Sequence, residues 1–329
     1  MENSNRILQF LGIPFAGLQS VILGLLLVSF PIGIYIVFES EIGGDINYEY
    51  PLTYLALFKN TELYQVSFDV SIGDVFVIFW IFYVVLFTIA IFGPKHGFLK
   101  SLSPIISFGK FNTTSNYMIE ITKWFSILIL ISALINFIQE AFGIVTIPPL
   151  DDNDLIQFFY VSLAPLIEEF GFRLILVGIP LFAMYSHKST LKYFIKCLWI
   201  PSSLHINNYK KALLLITFVG VFFGFAHIAF AESWSEGKFA QAAASGVILG
   251  WVYLRYGFVA SLLIHWAMNY FIFSYANFIS QLNDIPIQES FSHSLMSSLE
   301  MLFLISGAIS ISILFVSRFY SKKESILKV

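Results

Sequence analysis

Residues 156–186 read IQFFYVSLAPLIEEFGFRLILVGIPLFAMYS, an apolar run in which the only charged residues are Glu168, Glu169 and Arg173. A bilayer core about 30 Å thick is crossed by about 20 apolar residues, so this run is long enough to span it. An ionisable group at that depth costs about 2.5–3.5 kcal/mol on insertion scales, which makes it a functional candidate by default. Two more polar pairs sit in equally apolar surroundings, Phe223-x-x-x-His227 and His265-x-x-x-Asn269. Two acids, two imidazoles, an amide and a guanidinium on three expected helices read together as a catalytic centre buried in lipid.

The rest of the chain agrees with a membrane reading. It has 329 residues, 57% hydrophobic and 12% charged, where a soluble domain carries about 25% charge. The single cysteine, Cys197, excludes an intrachain disulfide and any CxxC site. It reads as a small apolar residue in an interfacial loop. The first apolar stretch, 17–38, is too long for a signal-peptide core and lacks a small-residue cleavage site, so it is expected to be a retained span. Seven more stretches qualify: 72–93, 122–143, 156–186, 211–231, 238–254, 257–278 and 296–318. The expected fold is all-α, a polytopic bundle of eight transmembrane helices. Three parts are anticipated: 1–155 with the first three spans, 156–280 as the catalytic core, and 281–329 with the last span and a basic tail.

Charge along the chain orients the bundle. All Lys and Arg except Lys59, Lys238 and Arg173 fall on one side of the alternation, while Glu39, Glu41, Asp45, Glu49, Asp151, Asp152, Asp154, Glu232 and Glu236 fall on the other. The basic side is cytoplasmic by the positive-inside rule, which places both termini in the cytoplasm. The stretch HKSTLKYFIKCLW, 187–199, reads either as an amphipathic helix in the cytoplasmic interface or as a basic loop. Leu52 to Phe58 form a small apolar piece inside the loop 39–71. Asn112-Thr-Thr matches a glycosylation sequon on the cytoplasmic side and is discounted there.

Residues four apart on a helix share a face. Glu169 and Arg173 can therefore pair, whereas Glu168, rotated by about 100°, points elsewhere and is free for chemistry. Phe223 packs beside His227 and limits its orientation. His265 and Asn269 can direct two donors to one point. Each pair alone is as well explained as helix glue; together they have the parts of a water-activating hydrolase. A carboxylate out of bulk water is moved towards the range of a general base. His227 can hold the same water, and His265 with Asn269 can face a developing oxyanion.

The ordered series Glu-Glu-x-x-x-Arg, Phe-x-x-x-His and His-x-x-x-Asn resembles the CAAX prenyl protease and bacteriocin-processing (Abi, or CPBP) family of intramembrane glutamate proteases, which includes the type II CAAX prenyl endopeptidases. The resemblance covers roughly 156–280. It implies Glu168 as the water-activating base with His227, His265 and Asn269 as oxyanion donors, and Glu169, Arg173 and Phe223 in support. It implies a peptide substrate, possibly prenylated and met in the lipid bilayer, with no cofactor, no metal and no nucleic acid. Other peptides, bacteriocin-like or from membrane proteins, and a non-proteolytic scaffold are the alternatives.

Rival chemistries fit less well. A zinc protease has two His and two Glu to draw on, but there is no HExxH, and Asn269 stands where a ligand would. Ser245 in Ala243-Ala-Ser-Gly246 hints at a serine protease; Ala242, Gly246 and Gly250 recur every four residues as a helix-packing face instead. A proton-coupled transporter would show a two-fold repeat, and none is visible. Measured at about 1.5 Å per residue, Glu168 lies roughly 18 Å into its span from outside, while His227 and His265 lie roughly 24 and 12 Å from the cytoplasmic ends of theirs, so the depths disagree.

Overall fold

The computed structural model describes residues 6–47, 71–93, 95–111, 116–146, 153–229 and 234–327. The piece Leu52 to Phe58, the sequon at 112–114, and Lys59, Glu49, Asp151, Asp152 and Glu232 of the charge pattern lie outside these residues. Among the described residues the structure is helical and has no strand. The long helices are α1 (Arg6–Phe38), α2 (Ile72–Phe92), α4 (Tyr117–Ala141), α8 (Tyr209–Ala229), α9 (Lys238–Tyr256) and α13 (Ser294–Leu327). Shorter ones are α3 (Phe98–Phe108), α7 (Leu191–Trp199) and α12 (Ile287–Ser290). Two further rods are compound. α5 (Asp154–Glu169) runs through a π-helical segment, π1 (Phe170–Gly178), into α6 (Ile179–Tyr185). α10 (Phe258–Trp266) runs through π2 (Ala267–Phe271) into α11 (Ile272–Asn283).

Every expected span falls on one of these rods. Six of them are long and apolar enough to cross a membrane: α1, α2, α4, α8, α10 through α11, and α13. The other two, α5 through α6 and α9, are not among those six. The expected count of eight therefore stands at six by length and composition. The helix α3 is not among the expected spans, its eleven residues being too few to cross a bilayer. The 187–199 stretch does contain a helix, α7.

Polar side chains start the helices. Ser71 and Asp74 form a reciprocal capping box on α2. Asn116 caps α4 and donates from its amide to Ile91 and His96 carbonyls, fixing the α2–α4 connection. Asn153 caps α5. The outward faces are apolar: Phe10, Phe92, Phe137, Leu214, Phe218 and Phe315 are all exposed, as expected of rods solvated by lipid.

Two packing features position the functional residues. The first is an aromatic column in which Trp266 stacks on Tyr270 at 4.4 Å and on Tyr83 at 4.6 Å between centroids. Trp80 donates to the Tyr270 hydroxyl at 2.8 Å. A side chain on Gly33 would meet that hydroxyl at 1.9 Å, so α1 needs glycine there. The second is the antiparallel seam of α8 and α9. A Cβ on Gly220 would lie 2.7 Å from the Val247 backbone nitrogen, and one on Gly246 would lie 2.8 Å from Gly220 Cα. Gly224 meets the Phe239 carbonyl oxygen in the same way. The four-residue repeat of small residues on α9 is thus a close-packing face, as its spacing suggested.

Candidate active site

Glu168 and Glu169 close α5, and the π segment that follows carries Arg173. Glu169 is fully buried and Arg173 is 1% exposed. Their side chains pair as expected, with Arg173 Nη2 3.0 Å from Glu169 Oε1. The guanidinium also lies over the Phe223 ring at 4.9 Å. Its Nε and Nη1 have no hydrogen-bond partner among the described residues, so the carboxylate and the ring face are what offset its burial.

Glu168 points the other way. Its Oε2 is 3.9 Å from His227 Nε2 and 3.6 Å from His265 Nε2, and has no hydrogen-bond partner among the described residues. The two imidazoles differ in what holds them. His227 Nδ1 lies 2.9 Å from the Phe223 carbonyl oxygen. A carbonyl only accepts, so Nδ1 carries the proton, and in the neutral ring the Nε2 lone pair faces Glu168. His265 Nδ1 lies 2.9 Å from Glu169 Oε1, so this ring stands between the two carboxylates.

Phe223 is the apolar centre of the cluster. Its ring meets His227 edge-on at 4.5 Å, His265 at 5.9 Å and Phe172 at 4.8 Å. The expected packing of Phe223 beside His227 is present, and the same ring also screens the Glu169–Arg173 pair. Asn269 is half-buried on π2. Its side-chain amide has no hydrogen-bond partner among the described residues, so it does not bond to His265 despite the four-residue spacing. The π segment that carries it makes bonds to the fifth residue rather than the fourth.

The structure thus brings Glu168, Glu169, Arg173, Phe223, His227 and His265 into one contact network from α5–π1, α8 and α10. The conflicting depths along separate helices did not prevent it, which requires the rods to be offset along their axes. Two features escaped the sequence reading. The Glu169–His265 contact joins residues 96 positions apart, which no periodicity reports. Lys238, expected with Lys59 on the acidic side, stands on the first turn of α9 with Nζ 3.8 Å from the Trp234 ring centroid, within electrostatic reach of Glu168.

Residues 153–271 match the family model described as Rce1-like, type II CAAX prenyl endopeptidase Rce1-like. This segment is Rce1-like. No curated protein and no solved structure matches the chain. The Rce1-like family is one of peptidases, and all seven residues singled out above lie inside the Rce1-like segment. Six helices long and apolar enough to cross a membrane, together with a segment that matches this peptidase family, are features of an integral membrane protein.

Proposed function

We propose that the chain is an intramembrane endopeptidase in which Glu168 activates water, and that its substrate is a C-terminal prenylated CAAX-type peptide cut after the lipidated cysteine. The observation that carries this reading is the pairing of Glu168 Oε2 with His227 Nε2 at 3.9 Å, two acceptors facing each other. A water donating one hydrogen to each is held with its lone pairs free for a peptide carbonyl. Glu168 takes a proton as the water oxygen bonds to the carbonyl carbon, leaving a tetrahedral oxyanion. The Asn269 amide, which has no hydrogen-bond partner among the described residues, and the edge of His265 face that oxygen. On collapse the C–N bond breaks, and the proton held at Glu168 passes, with His227 assisting, to the leaving amine. Glu169 and Arg173 position His265 and the end of α5 and do not touch the reacting atoms. The reading includes eight membrane crossings, both termini in the cytoplasm, and 156–280 as the part that carries the chemistry.

The test is cleavage of a fluorogenic farnesylated CAAX peptide by purified protein in detergent, with wild type and Glu168→Ala in parallel. Cleavage by wild type and none by the variant is the expected result. Equal cleavage by both would sink the mechanism. No cleavage by folded wild type would sink this substrate and move the reading to another peptide or a scaffold.

A further inference from the structure

The segment 186–211 holds Lys188, Lys192, Lys196, Lys210 and Lys211 and not one Asp or Glu. All five lysines are exposed, and none has a carboxylate within ion-pair distance among the described residues. Lys188 leans instead on the Tyr193 ring at 5.7 Å. Within this segment α7 is amphipathic in an unusual direction. Leu191, Ile195 and Trp199 form a four-residue stripe that faces away from the protein, 71%, 56% and 43% exposed. Lys192 and Lys196 run beside that stripe, each one position after a stripe residue.

The opposite face of α7 is anchored. Cys197 is buried, and Phe194 packs edge-on to Phe182 at 4.9 Å. The Leu198 carbonyl accepts from the Tyr253 hydroxyl at 2.7 Å. That hydroxyl and Leu198 leave room only for glycine at 178, where a Cβ would lie 2.4 and 2.9 Å from them. The helix is therefore fixed to α9 and to the end of π1, with its lysines held in a set array.

An exposed apolar stripe edged by lysines is how a helix lies in a membrane interface, with aliphatic stems running along lipid and ammonium groups at the phosphates. Zwitterionic headgroups carry their own compensating ammonium. Five lysines without a carboxylate fit a surface with excess negative charge, and each is worth about 1 kcal/mol there, roughly fivefold. We propose that α7 and its flanking lysines are a binding site for anionic phospholipid headgroups in the adjoining leaflet. This site stands apart from the glutamate centre and does not depend on the substrate assigned to it.

Trp199 on the stripe supplies the probe. Wild type and Trp199→Phe are reconstituted in phosphatidylcholine vesicles with a minority of phosphatidylglycerol, with bromine-labelled acyl chains on one lipid or the other. The difference between the two proteins isolates Trp199 quenching. Brominated phosphatidylglycerol should quench it roughly fivefold more per mole than brominated phosphatidylcholine. The preference should survive added inorganic phosphate and fall in Lys188→Gln/Lys192→Gln/Lys196→Gln. Equal quenching by both lipids, or by neither, overturns the proposal, as does an unchanged preference in the triple variant. Competition by inorganic phosphate would mark a free-anion site and overturn the lipid assignment. Should the triple variant fail to fold, the wild-type comparison decides alone.

Discussion

Glu168 and Glu169 are adjacent in the chain and have opposite surroundings, which sets what each can do. Glu169 is fully buried between a guanidinium and an imidazole, while Glu168 is partly open, with its Oε2 opposite two Nε2 atoms. Glu168→Gln keeps the volume and removes the base. Peptide cleavage should fall by about 10²–10⁴, with an unchanged melting temperature, and retained turnover would return the site to a structural role. Arg173→Ala should act on stability instead, because it leaves Glu169 buried without its cation. A loss of about 3–5 kcal/mol is expected, readable as a lower unfolding midpoint in detergent; a midpoint within error of wild type would contradict the pairing. The local pairs Glu169–Arg173 and Phe223–His227 were legible in the sequence because each repeats at one helical turn. The insertion of His265 between the two glutamates was not, since it depends on how two distant helices lie against each other.

At the level of elements, apolar runs located all the long helices to within a few residues, except that α1 begins earlier and α13 ends later than expected. What the runs did not reveal is that the rods bearing Glu169 and His265 lose α geometry directly after Glu169 and one residue past His265, in π1 and π2. A π turn holds one residue more than an α turn without breaking the rod, so hydrophobic spacing stays nearly intact and hides it. It is also the segment that carries Asn269. Deleting Met268 from π2 should restore an α turn while leaving both flanks in register. Helical content by circular dichroism should remain, and cleavage should fall by at least tenfold as Asn269 rotates away from the centre, about the scale of one lost oxyanion donor or more. Wild-type turnover in the deletion variant would show that the bulge plays no part in placing Asn269. The short helix α3 was illegible for a simpler reason: an amphipathic piece beside lysines looks like any loop on the basic side.

For the whole molecule, the charge pattern orients the rods and the helix count sets which loops share a side. With eight crossings, Ser202, between α7 and α8, and Ser292, just before α13, face opposite compartments; both are exposed. Single cysteines at these positions, in a Cys197→Ala background, should react with an impermeant maleimide from opposite faces of sealed vesicles. Labelling from the same face would refute the eight-span arrangement. The glycine seam has a mechanical corollary. Backbones that touch at Gly220, Gly224 and Gly246 cannot part without opening a void, so α8 and α9 behave as a single stave. Under the proposed function, a lipid-tethered peptide sliding in sideways finds its doorway between other staves. We predict that a disulfide riveting α8 to α9 leaves the rate of cleavage unchanged, and a stalled enzyme would mean that the door is the seam itself.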